Sequence, residues 1–273
     1  MSIGSKRFLM MVAVYLLLAG ALSFTLFPIY WMLLTSIQPS SDLMRSPPKF
    51  WSNPTFEHWA FALQRNVKYF LNSLIVASIS TLIALIVAMP SGYAFSRYRI
   101  GGDTLPFWIL SLKFFPPIIA AIPFFLMMKE LRLIDTHIAV IIPHLILTIP
   151  FAVWMIRGFV AEVPRELEEA AMIDGCSHLG VIRRVTLPLI APGLVVTALF
   201  SFIWSWNDFL FPLVLTRNQA MTLPVAIAGM REAHGLMWGA VSATTAMATL
   251  PMLILTIILQ RYLVRGLAMG AIK

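Results

Sequence analysis

Charge is what this chain most lacks. Only 12% of its 273 residues are Asp, Glu, Lys or Arg, 59% are hydrophobic, and the mean hydropathy is +0.85. A soluble domain carries roughly 25% charged residues, so this chain has about half the charge it needs to cover itself for water. Cysteine is nearly absent: a lone Cys176 forms no internal disulfide and argues against a Cys-based metal site. The five histidines are scattered, with no HExxH or paired arrangement, and no G-x-x-x-x-G-K-[ST] phosphate loop occurs. A zincin-type hydrolase and a P-loop nucleotide site on this chain are thereby excluded. The formal charge of +8 points to no nucleic acid, because the basic residues are spread over loops rather than gathered in one stripe. Loop charge that holds a membrane topology explains it.

Long apolar runs are what the chain has in abundance. Phe8 to Leu34, Phe70 to Ser96 and Ala233 to Gln260 each contain no charged residue, and each exceeds the roughly 20 residues that carry a helix across the hydrocarbon. The first run follows Lys6 and Arg7 as a signal peptide would. It is about twice the usual 7–15-residue apolar region, though, and Pro28-Ile29-Tyr30-Trp31 stands where cleavage would fall. An uncleaved first span is expected. Uncharged stretches place spans at about 10–34, 71–95, 105–128, 138–156, 193–215 and 237–260. All are expected to be helical, since an open backbone in lipid leaves polar groups unpaired. The fold class is therefore all-α, a polytopic membrane protein of six helices forming one domain over residues 1–273.

Two spans carry a charge each. Lys113 lies near the middle of the third, where a charge costs about 2.5–3.5 kcal/mol on insertion scales, and Asp208 lies deep in the fifth. Either one or both line a pathway through the membrane, or they pair with each other between packed helices, or they snorkel to the interface if the span boundaries shift. The third span also holds Pro106, Pro116, Pro117 and Pro123, a density that bends or breaks a helix. With both termini inside, inner segments hold Lys6, Arg7, Arg97, Arg99, Arg157, Arg165, Arg183, Arg184, Arg261, Arg265 and Lys273. The outer ones hold Arg45, Lys49, Arg65, Lys68, Lys129, Arg132, Arg217 and Arg231. That is a weak bias toward inside termini.

The longest charged stretch separates spans four and five. Pro164 suits a helix start, and Glu166, Glu168 and Glu169 favour the early turns through the helix dipole. Gly175 is placed as a C-terminal cap, and Ser177 begins a second short helix running to Arg183 and Arg184. The spacing gives a helix–Gly–helix hairpin with Leu167, Ala170 and Ala171 on one face. Such an amphipathic surface hairpin suits either lipid or a protein groove, and its many acids argue against an anionic lipid surface.

Glu169-Ala170-Ala171, three residues, Gly175, nine residues and Val185-Thr186-Leu187-Pro188 resemble the EAA loop of ABC importer permeases, with Val185 in place of the usual Ile. Trp206-Asn207-Asp208-Phe209-Leu210 with Pro212-Leu213, Phe115-Pro116-Pro117, Leu133-Ile134-Asp135-Thr136 and the tail from Gln260 to Lys273 are similar to segments of the carbohydrate-uptake branch. The chain also resembles the maltose-type subunit without a large periplasmic insertion, since its first outer loop is short. The resemblance implies a cytoplasmic coupling hairpin at about 162–192 that docks in an ABC ATPase. Glu169, Ala170, Ala171, Asp174, Gly175, Leu187 and Pro188 would carry the contact, with Glu169 as the polar anchor. It implies a second homologous permease, an ATPase dimer that holds the ATP and magnesium, an extracytoplasmic solute-binding protein, no cofactor and no catalytic site on this chain. It also places the chain in the bacterial cytoplasmic membrane with both termini cytoplasmic.

Lys113, Trp204, Trp206, Asn207 and Asp208 are the candidates for the translocation path, and Lys113 raises the expectation of an anionic sugar. Plainer readings stand beside these: interface packing for the two tryptophans, a helix contact for His144, a small turn residue for Cys176. A secondary transporter would need coupling-ion carboxylates within the spans and often an internal repeat; only Asp208 and no evident repeat are found. A membrane-embedded enzyme would need a cluster of His or acids at one depth, and the spans offer none.

Overall fold

The computed structural model describes residues 3–47, 49–232 and 235–271, with side chains for 10–47, 49–230 and 237–260. Its architecture is helical throughout, apart from a two-residue antiparallel pairing of Arg231 with Leu236 and Glu232 with Gly235. Among the described residues, four helices are long and apolar enough to cross a membrane, or six when each of two bent helix pairs is counted as one crossing.

The chain divides into two compact units. One comprises residues 1–67 and 229–249. It contains α1 (Ile3–Ile37), the single turn α2 (Ser40–Leu43), the start of α3 (Glu57–Arg97) and the start of α13 (Trp238–Ala271). The apolar stretch of α1 buries none of its side chains within the chain; Leu17 is 75% and Phe24 84% exposed. In water that surface would cost roughly 25 cal/mol per Å²; in lipid it costs nothing, which is why so apolar a helix is stable while so uncovered. Polar side chains fasten its end instead. Thr35 Oγ1 donates to Ser242 Oγ at 2.8 Å, Trp59 Nε1 to Ser36 Oγ at 3.1 Å, and Asn66 Nδ2 to Thr244 Oγ1 at 3.1 Å.

The other unit comprises residues 68–228 and 250–273 and is built around α6 (His137–Ala161). Thr136 caps α6 by accepting from Ala139 N, and thirteen of the 25 residues are buried. One core gathers Ala88 and Tyr93 of α3, Ala152, Val153, Ile156, Phe159 and Val160 of α6, and Val163 and Ile190. Close approach here needs Gly92, where a Cβ would stand 2.9 Å from Arg157 N and from Ile156 Cγ2. A second core joins Met128, Ala139, Leu147, Phe211 and Leu215.

The third expected span is a bent pair. Helix α4 (Thr104–Ser111) runs through a 3₁₀ turn at Leu112–Phe114 and meets α5 (Pro117–Glu130) at 84°. A residue before proline avoids the helical region, so Phe115 before Pro116, and Pro116 before Pro117, take ψ values of 128° and 118°. Pro117 then opens α5 at a position where its missing N–H costs nothing.

After α6 come α7 (Arg165–Ile173), α8 (His178–Val181), a π-helical turn at Ile182–Thr186, and α9 (Leu187–Leu189). The segment from His178 to Leu189 is bent by 76° from α10 (Ala191–Asn207). The fifth span, expected as one helix over 193–215, is instead broken. Helix α10 ends at Asn207, Asp208 is extended with ψ 132°, and α11 (Leu210–Leu215) and α12 (Leu223–Ala228) follow. The cause is local: Asp208 Oδ2 accepts Phe211 N at 3.2 Å, so the carboxylate caps a new helix rather than riding in the old one.

Candidate functional site

The hairpin after α6 is assembled by its caps. Glu166 and Glu168 stand in the first turn of α7, where the helix dipole favours acids. The helix closes on Gly175 at φ +89°, with Cys176 N bonded to Ala171 O at 2.9 Å and Gly175 N to Met172 O at 3.0 Å. This is a Schellman ending, and it needs a residue without a Cβ penalty. Ser177 Oγ then accepts Gly180 N at 3.2 Å and starts α8.

The side chains of α7 divide sharply. Glu169, Ala170, Asp174 and Pro188 are exposed, and Ala171 and Leu187 are half-buried. Leu167, Met172, Ile173 and Leu179 are also exposed, Ile173 at 87%. A cluster of apolar side chains held outward on a polar hairpin is the composition of an interaction surface. Glu168 turns the other way. Its Oε2 accepts Arg97 Nε at 2.8 Å and Tyr93 Oη at 3.3 Å, and its Oε1 accepts Arg97 Nη2 at 3.1 Å and Thr186 Oγ1 at 2.6 Å. Both partners of the ion pair are buried, at 8% and 6% side-chain exposure. Sequence reasoning singled out the neighbouring Glu169 and missed Glu168, Arg97 and Thr186. The sequence offered Arg97 as a cation closing a long apolar run, but nothing in it named the acid that Arg97 meets.

At the break of α10, His144 bridges two helices: its Nδ1 lies 2.7 Å from Ser205 Oγ and its Nε2 3.0 Å from Asp208 Oδ2. His144 is fully buried, and the Trp204 ring meets it edge-on at 5.4 Å. Trp206 is 4% exposed and packed between Phe70 and Phe202, a packing position. Asn207 is exposed and donates to Ile203 O at 2.8 Å. The Lys113–Asp208 ion pair weighed from the sequence is not formed. Asp208 is taken by His144, and Lys113 Nζ lies 4.2 Å from the centre of the Phe151 ring. Among the described residues Lys113 has no carboxylate partner.

At the end of α6 opposite the hairpin, about 37 Å from it at 1.5 Å per residue, Asp135 organises the loop after α11. Its carboxylate accepts the backbone N–H groups of Arg217, Asn218, Gln219 and Ala220 at 2.9 to 3.2 Å. Burial alone would raise its pKa; the four N–H donors prevail and lower it to about 2. The side chains of the C-terminal segment beyond Gln260, part of the sequence resemblance, lie outside the described residues.

Residues 80–269 match the model of the binding-protein-dependent transport system inner membrane component. A probable ABC transporter permease protein of Sinorhizobium fredii is 39% identical over 91% of this chain and 90% of its own. The trehalose/maltose transport system permease protein of Thermococcus litoralis is 34% identical, covering 94% and 96%. The sulfoquinovosyl glycerol transport system permease protein of Agrobacterium fabrum is 32% identical, covering 91% and 89%. A crystal structure of a bacterial ABC transporter that imports the acidic polysaccharide alginate contains a chain of the same fold, with TM-score 0.78 at 24% identity over 96% of this chain and 98% of that one. An all-helical, multi-pass chain with this match over most of its length belongs to the binding-protein-dependent transport family, as a carbohydrate ABC importer permease subunit.

Proposed function

We propose that the chain forms half of the translocation path for a sugar or sugar derivative and takes its energy from a separate ATPase through the 162–192 hairpin. The observation that carries this is the outward set of Glu169, Leu167, Met172 and Ile173 on a hairpin rigidly closed by Gly175. Coupling of this kind is a two-state equilibrium biased by differential binding: closure of the ATPase pair draws two such hairpins together and opens the cavity outward. On this reading the chain is one permease domain of six crossings with both termini cytoplasmic. It binds no cofactor, leaves ATP and magnesium to the ATPase, and works with a second permease and an extracytoplasmic binding protein.

Co-purification with the products of neighbouring genes tests it. Wild type should retain an ATPase, and Glu169→Lys and Gly175→Asp should lose or uncouple it. A chain that comes out alone and transports without ATP would instead be a secondary transporter.

Lys113 supports a narrower substrate class. A half-buried ammonium that faces an aromatic ring and has no carboxylate partner among the described residues is free to compensate an anion. An acidic, phosphorylated or sulfonated sugar meets that requirement. Uptake of such a substrate should fall about tenfold or more in Lys113→Met, the loss of roughly 1.4 kcal/mol or more. Unchanged uptake would remove anionic selectivity from this lysine.

A further inference from the structure

The carboxylate of Glu168 joins three segments far apart in the chain. Arg97 and Tyr93 come from the end of α3, Glu168 from the first helix of the hairpin, and Thr186 from the π-helical turn that closes it. Arg97 Nη2 also donates to Val163 O at 2.8 Å, and Arg165 Nη2 to Arg97 O at 3.3 Å. We propose that Arg97 and Glu168 form a positioning joint that fixes the hairpin to the cytoplasmic end of α3, so that hairpin displacement moves this helix instead of being absorbed in the loop. The proposal rests on the coupling role argued above.

Stability alone does not account for such a pair. Removing two charges from water costs about what their attraction returns, and apolar residues of equal volume serve as well. A two-pronged guanidinium–carboxylate contact supplies direction. Apolar contacts let packed helices slide past one another in shear; a fork held in register by Thr186, Tyr93 and Val163 O resists it. The wide π turn, a feature frequent at functional sites, belongs to the same unit, because it contains Thr186.

The native Cys176 and an Ile86→Cys substitution on the exposed face of α3, where Ile86 is 62% exposed, provide two label sites for pulsed electron resonance. Distances are read on the full chain alone and on the complex with its ATPase trapped by ATP and vanadate. The otherwise unsubstituted chain should give one narrow distance in both states. Glu168→Gln keeps an acceptor for Thr186 but turns an amide N–H toward Arg97; it and Arg97→Met should each widen the distribution about twofold. Arg97→Lys, which keeps the charge and loses the fork, should fall between. In Arg97→Met/Glu168→Leu the melting temperature should return to wild type because no lone charge is left buried, while the distribution stays wide. Unchanged widths in Glu168→Gln and Arg97→Met overturn the joint, as does a double variant that recovers the narrow distance along with its stability. Failure of the wild-type chain to capture an ATPase sinks the coupling role instead, and the distances on the chain alone still report on the joint.

Discussion

Single residues here do work that their neighbours in sequence do not share. Glu168 and Glu169 are adjacent, yet one is buried against Arg97 and the other is exposed, because a helix turns about 100° per residue. Asp135 is the clearest case for titration. Its folded pKa is depressed to about 2, below the unfolded value near 3.9, so its contribution is complete above about pH 4 and is lost as the pH falls through about 2. Hydrogen exchange at the amides of Arg217 to Ala220 should therefore accelerate across that window. At neutral pH, Asp135→Asn should loosen the same amides by about 1 kcal/mol after allowing for solvent screening. Equal exchange in wild type and variant would mean that the carboxylate does not organise the loop. Asp208 predicts a graded result. Asp208→Ala removes both the cap of α11 and the partner of buried His144 and should cost about 2–3 kcal/mol in thermal stability. Asp208→Asn keeps an acceptor and should cost less.

At the scale of elements, the apolar runs were legible from the sequence because lipid imposes one simple rule, about 20 uncharged residues per crossing. The expected span at 138–156 lies within α6, and that at 237–260 begins one residue before α13 and otherwise lies within it. What the sequence hid was geometry set by single polar groups. Prolines announced the bend at Phe115–Pro116, whereas the break at Asp208 came from a carboxylate that accepts Phe211 N three residues on and is held by His144, 64 residues away in sequence. The hairpin was legible through its punctuation, Pro164, Gly175 and Ser177. The inward turn of Glu168 was not, because Arg97 is 71 residues distant. The Schellman ending makes a prediction of its own. No atom lies within 4 Å of a Cβ added at Gly175, so a small uncharged substitution there pays for backbone conformation alone, whereas Asp also adds a charge to the exposed hairpin. Gly175→Ala should weaken ATPase capture by about 1–2 kcal/mol, and Gly175→Asn by less, since Asn tolerates the left-handed region. Retention that ranks Ala with or above Asn would show that the hairpin does not depend on this turn.

At the scale of the whole molecule, the chain is stable only in the solvent that its surface implies. The exposed faces of α1 and α13, with Phe24, Ile257 and Ile258 outward, suit lipid or another membrane chain, and the functional surface proposed above is the small hairpin between α6 and α10. The central claim is that this hairpin stands in the cytoplasm and docks on an ATPase. The chain's single cysteine, Cys176, is part-exposed beside Gly175 and is a native reporter of both properties. Labelling with a membrane-impermeant maleimide should modify Cys176 in inside-out vesicles and spare it in intact spheroplasts. In the vesicles, labelling should slow when the ATPase is bound and recover when it is stripped away. Rapid labelling from the outside, or a rate indifferent to the ATPase, would contradict the account.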